Sequence, residues 1–123
     1  GEERWRGYAE AILELNAGAI ARHPAAFGHL LGAFDFHLGP VREIAVAGDP
    51  GTGAAREMLR EIFGRYLPNK AVACGTGGGP ALLELRPAGA GEATAWVCEG
   101  STCLEPAASV GELRERLGPP SRF

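Results

Sequence analysis

Apolar residues recur at three- and four-residue spacing at the start of the chain. Trp5, Tyr8, Ile12, Leu15 and Ala19 form a stripe, and Ala9, Leu13 and Ile20 widen it. This spacing predicts a helix over residues 3–21, with Glu10, Glu14 and Arg22 on its polar side. His23-Pro24 breaks the helix, and Pro24 suits the first turn of the next one. Phe27, Leu30, Leu31, Phe34 and Leu38 give that second helix an apolar face, and Gly39-Pro40 stops it. Two helices with a short connection predict an antiparallel hairpin.

The period then changes. Val41 to Ala47 reads as a strand, with Ile44 and Val46 its strongest β formers. Gly48 to Gly53 is a loop, and Ala54 to Leu67 a helix with Ala55, Met58, Leu59, Ile62 and Tyr66 facing inward. Pro68-Asn69 ends it, and Lys70 to Cys74 is a second short strand. Gly75 to Pro80 is a glycine-rich loop, followed by a helical turn over Ala81 to Leu85 and a further turn at Gly89-Ala90-Gly91. Ala93 to Cys98 reads as a third strand. Ser109-Val110-Gly111-Glu112 has capping-box spacing and opens a last helix through Leu117, after which Pro119-Pro120 ends order. The expected fold class is α/β. An N-terminal helical hairpin (1–40) precedes a small α/β region (41–123) built on a mostly parallel three- to four-stranded sheet with flanking helices.

Composition adds a constraint on burial. Ala and Gly together are 40 of 123 residues, whereas Leu, Ile, Val and Phe are only 27. So many apolar positions are methyl-sized or smaller that the core is thin, and a partner surface is expected to complete it. No apolar run approaches the ~20 residues of a membrane span, and the charged start leads us to expect no signal peptide within these residues. The net charge of −3 argues against non-specific nucleic-acid binding. Eleven Arg against one Lys, with the Ala and Gly excess, points to GC-rich, bacterial coding. Three cysteines cannot form a complete disulfide framework, so a reducing cytoplasm is the expected compartment.

Candidate chemistry is sparse. Gly48-Asp49-Pro50-Gly51-Thr52-Gly53 lies between a strand and a helix, the setting of a phosphate loop. Ala54 and Ala55 stand where that motif needs Lys and a hydroxyl, and Arg56 spoils the dinucleotide fingerprint. What remains is a tight turn capped by Thr52, or a weak anion-binding loop of Asp49, Thr52 and Gly53. Gly75 to Pro80 has no Lys or acidic residue nearby and reads as a surface loop. Cys98 and Cys103 form a single C-x4-C, which is neither a metal cluster nor a C-x-x-C redox motif. They read either as a buried strand-end cysteine plus a second structural one, or as a reversible pair if the intervening residues turn back. Cys74 reads as a small buried residue. His23, His29 and His37 lack the spacing of a metal pair, and Glu57 and Glu61 read as a solvated helix face among arginines. No metal or cofactor is expected.

Tyr66-Leu67-Pro68-Asn69-Lys70-Ala71-Val72, Ala93-Thr94-Ala95-Trp96-Val97-Cys98, and Cys103 followed by Pro106 carry a resemblance. Phe27 to Leu31, Leu38-Gly39-Pro40 and Ile44 to Gly48 extend it over nearly the whole chain. Together they resemble the C-terminal end of the thioredoxin-domain-containing, spermatogenesis-associated protein family. The resemblance implies an upstream thioredoxin-like domain and an (α/α) barrel similar to six-hairpin glycosidases and sugar epimerases. Residues 1–40 would be the last barrel hairpin and residues 41–123 the closing α/β region. Three readings of function follow. The first is a structural or interaction module of a larger polypeptide, docked to its remainder or self-associated through the hairpin, without a complete active site. The second is a fragment of a carbohydrate-active or epimerase-like barrel enzyme. The third is a redox module using Cys98 and Cys103.

Overall fold

A computed structural model describes residues 3–89, 91–100 and 102–119. The expected turn at Ala90 and the end of order at Pro120 lie outside the described residues. The chain divides into two compact units, Gly1–Gly39 and Pro40–Phe123, each described by itself.

The first unit is helical. Helix α1 spans Glu3–Arg22 and helix α2 spans Gly28–Leu38, with a 3₁₀ turn at Pro24–Phe27 between them. Pro24 opens that turn, where a missing N–H costs nothing. The face of α1 differs from the expected one. Leu13 and Ile20, seven residues apart and so on one side of the helix, are its buried residues. Trp5, Tyr8, Ile12 and Leu15 are exposed. On α2 no residue is fully buried; Phe27 before it and Leu30 and Phe34 within it are half-buried. Two short helices cover only one narrow seam of each other, so an apolar stripe this wide outruns the contact available.

The second unit is a four-stranded sheet with helices on one face. Strand β1 is Arg42–Gly48, β2 is Lys70–Gly75, β3 is Ala93–Glu99 and β4 is Thr102–Cys103, in the order β2-β1-β3-β4. Helices α3, Gly53–Phe63, and α4, Val110–Leu117, complete it. The fold class is mixed α/β as expected, but the sheet is not mostly parallel. Only β1 and β2 run parallel, while β3 is antiparallel to β1 and β4 to β3. A parallel β3 would need a helical crossover returning the chain to the start of the sheet. The link after β2 holds only a 3₁₀ turn, Ala81–Leu83, so β3 starts where β1 ends, Ala93 opposite Gly48.

Strand β1 lies in the centre and is buried on both faces. Ile44 and Val46 point into a core with Met58, Ile62, Ala95, Val97, Leu113 and Leu117. Ala45 points the other way, onto Ala73, Leu82, Leu83 and Trp96. The first layer is built from large side chains beneath two helices. The second is thin, because alanines let an extended segment lie close to the sheet. Helix α3 stops at Phe63 rather than Leu67; the Gly64 N–H closes it on the Arg60 carbonyl, and Tyr66 is exposed, not inward. No helix among the described residues is long and apolar enough to cross a membrane.

Candidate functional site

The loop between β1 and α3 closes on itself. Asp49 Oδ1 accepts from the Gly51 N–H at 2.8 Å. Thr52 Oγ1 donates to the Asp49 carbonyl at 2.9 Å and accepts from the Ala55 N–H at 3.3 Å, capping the helix. The Gly51 and Ala55 N–H groups are thus held by the neighbouring side chains of Asp49 and Thr52. The glycine-dense segment after β2 borders an open cleft of about 340 Å³, whose charged lining residues are Glu84 and Arg86.

Cys98 and Cys103 behave differently. They stand directly opposite each other on β3 and β4 and are joined by a disulfide. The turn between them explains why. Glu99 pairs with Thr102, and Gly100 adopts φ +59°, a left-handed conformation that glycine takes without steric cost. The hairpin therefore brings the two Cα atoms to 3.9 Å. The Leu104 N–H donates to the Val97 carbonyl at 2.9 Å, which makes 97 and 104 the hydrogen-bonded pair and 98 and 103 the close, non-hydrogen-bonded one. Cys98 is buried at 2% exposure, whereas Cys103, on the edge strand, is exposed.

A cation faces this pair. Arg86 Nη2 lies 3.5 Å from Cys98 Sγ and 3.9 Å from Cys103 Sγ. Its Nη1 donates to the Leu82 carbonyl, which fixes the guanidinium plane. The segment carrying Arg86 is strapped along one face of β3 at alternate residues. The Gly89 N–H donates to Thr94 Oγ1 at 2.8 Å and Trp96 Nε1 donates to the Pro87 carbonyl at 3.4 Å. Thr94, Trp96 and Cys98 share this face because strand side chains alternate. Glu43 stands opposite Cys98 on β1, and Arg42 pairs with Glu99 at 3.6 Å. Arg86 is thus the charged group in direct contact with both sulfurs. Sequence spacing does not reveal it, since it lies 12 and 17 residues from its sulfur partners and in no motif.

The remaining candidates are dispersed. Cys74 is a free thiol, half-buried, with its Sγ 3.8 Å from the Gly48 carbonyl. Burial, and then the Asp49 carboxylate, push its pKa up, which disfavours the reactive thiolate. Glu61 does not lie on a solvated face; it is partly buried between Arg114 and Arg65, each at 2.8 Å. His29 and His37 lie on α2, and no group of three or more metal-ligating side chains occurs among the described residues.

Comparison with known proteins aligns nearly the whole chain with a small part of a longer relative. No protein-family model matches it, and no solved structure matches it significantly. Human spermatogenesis-associated protein 20 is 25% identical over 127 residues, covering 97% of this chain. The chain spans 16% of the length of that curated relative, and the similarity supports a family link between the two.

Proposed function

We propose that these residues form the C-terminal structural and interaction module of a larger, thioredoxin-domain-containing polypeptide. In this reading they hold no complete active site of their own. One observation carries the proposal: the chain aligns over 97% of its length with only 16% of its relative. Exposed apolar surface on the first unit supports it. Trp5 and Tyr8 make an edge-to-face pair at 5.9 Å, yet Trp5 is 60% exposed and Leu15 is 85% exposed. An apolar band of this kind, running on through Ile12, marks a contact surface more often than a solvated one. The proposed occupant is the helical part of the same polypeptide, with the hairpin as the last helical pair of a barrel. The proposed compartment is the cytoplasm, a reading supported by the odd cysteine count, which leaves Cys74 a free thiol.

The test is the mass of the 123-residue chain by light scattering over a wide concentration range, with a dye that fluoresces on apolar surface. The expected outcome is concentration-dependent association or strong dye binding, both suppressed when the chain is joined to the rest of the polypeptide. A strictly monomeric chain that binds no dye would overturn the reading.

A further inference from the structure

We propose that Cys98–Cys103 is a thiol–disulfide exchange site that accepts two electrons from a dithiol, and that Arg86 is its anion-stabilising residue. The two sulfurs are unequal. Cys103 lies exposed on the edge strand and is open to attack; Cys98 is buried beneath the guanidinium. The direction of exchange follows. A thiolate of the incoming dithiol attacks Cys103 Sγ, the bond to Cys98 breaks, and its electron pair goes to Cys98 Sγ. The product is a mixed disulfide on Cys103 and a thiolate on Cys98, 3.5 Å from Arg86 Nη2. The second thiol of the dithiol then attacks its own disulfide-bonded sulfur and displaces Cys103 as a thiolate. The dithiol leaves as a cyclic disulfide, the cysteine pair has gained two electrons, and the two protons lost by the dithiol are available to the two thiolates.

The physical reason is differential contact. A disulfide sulfur is a weak, neutral acceptor, so Arg86 gains little from the oxidised state. A thiolate in the same place makes a charge-assisted pair with a guanidinium already fixed by the Leu82 carbonyl. The cation therefore favours the reduced form and the departing Cys98 thiolate. Glu43, opposite Cys98 on β1, works against this from across the ladder, while Arg86 touches both sulfurs. The strap that presents Arg86 grips β3 at Thr94 and Trp96, so the cation is held over the pair rather than extended into solvent.

The experiment uses the full oxidised chain with dithiothreitol as the dithiol. The native protein is equilibrated in dithiothreitol redox buffers, and thiols are counted by alkylation and mass spectrometry. Thiolate absorbance near 240 nm gives the thiol pKa of the reduced protein. The expected results are reduction without unfolding and a thiol pKa below the ordinary value of about 8.5. Arg86→Gln is expected to lower the equilibrium constant for reduction about tenfold, a midpoint about 30 mV more negative, and to raise the thiol pKa. Arg86→Lys, which keeps the charge, is expected to retain most of both effects, as a merely structural role for Arg86 would not. The proposal is overturned if the pair is reduced only on unfolding, or if Arg86→Gln leaves potential and pKa unchanged. Should Arg86→Gln fail to fold, a wild-type thiol pKa at or above about 8.5 overturns it alone.

Discussion

The helices of residues 3–39 and the α/β unit that follows spend their apolar residues in opposite ways. In the α/β unit Ile44, Val46, Met58, Ile62 and Leu113 are almost wholly buried, and two helices close over one face of a sheet. In the helical unit Leu13 and Ile20 are the buried residues, while Trp5, Tyr8, Ile12 and Leu15 face outward. Both stretches read as amphipathic, so hydrophobic periodicity alone does not separate them. What separates them is the number of neighbours the fold supplies. A central strand has two strands and two layers around it, whereas a helix in a two-helix unit has one companion.

The sharpest way to break this contrast is to truncate one side chain in each unit. Leu113→Ala removes a fully buried side chain between α4 and the sheet, and is expected to cost about 3 kcal/mol. Leu15→Ala replaces an exposed side chain with the best helix former, and is expected to shift stability by less than about 0.5 kcal/mol. Urea unfolding of the two variants checks both. Equal losses would mean that the outward stripe of α1 is buried in solution even in the chain alone.

A second test probes how tightly the sheet is closed where β1 ends and β3 begins. A Cβ on Gly48 would sit 2.6 Å from the Glu92 carbonyl oxygen and 3.0 Å from Ala93 Cα, all backbone that cannot swing aside. Gly48→Ala is expected to cost about 2 kcal/mol, within the range of overpacked sites. Gly32 on α2 has open space around its missing Cβ. Gly32→Ala is expected to stabilise its helix by up to about 1 kcal/mol. Circular dichroism melts of the pair would read opposite signs in the two units.

Much of the α/β unit is legible in the order of its residues. Alternation and β-branching mark β1, and helical periodicity marks α3. Thr52 and Ser109 mark helix starts, and Ser109 Oγ does accept from the Glu112 N–H at 3.2 Å. The Glu112 carboxylate returns to the Ala108 N–H, one residue before the cap. Strand direction is not legible, because the residues of β3 look the same whichever way it runs. The choice depends on a 3₁₀ turn too short to carry the chain across. The face of α1 is missed for a related reason, since Trp5 and Tyr8 are larger and more apolar than what the seam requires. Of the candidate site, the cysteine spacing is readable but Arg86 is not, since its position over the sulfurs arises from the strap on β3.

A smaller effect is expected where α3 and α4 are tied together. Glu61 bridges Arg65 on the turn after α3 to Arg114 on α4. Arg42 and Arg65 also donate to the Leu117 and Gly118 carbonyls, satisfying acceptors that a helix end leaves open. Hydrogen bonds from Arg114, then Arg65, hold the Glu61 pKa below its ordinary value near 4.5. A depressed folded pKa contributes stability that is complete above that value and is lost as pH falls through the folded one. Glu61→Gln is therefore expected to cost about 1 kcal/mol at pH 7, and much less in acid below the folded pKa. Denaturation at a series of pH values tests the sign; a loss that grows on acidification would contradict it.

The smallest expected effect concerns Leu85, the residue before Arg86. It adopts φ +60° and is 99% exposed. For a side chain with a γ-branch this left-handed backbone costs about 1–2 kcal/mol, and no burial offsets it. The strain falls where the strap turns to aim Arg86 at the sulfurs, with the Arg86 N–H donating to the Leu83 carbonyl at 3.3 Å. Leu85→Gly relieves the steric cost but adds freedom to the unfolded chain worth about 0.5–1 kcal/mol. The net expectation is a gain of about 0.5 kcal/mol, read as a rise in melting temperature of about 2–4 °C. Leu85→Pro, with φ held near −65°, is expected to destabilise instead and to detach the guanidinium from the sulfurs. If glycine lowers stability by more than about 1 kcal/mol, the Leu85 side chain is packed in solution after all. The strap would then belong with the outward stripe of α1, as apolar surface awaiting a neighbour.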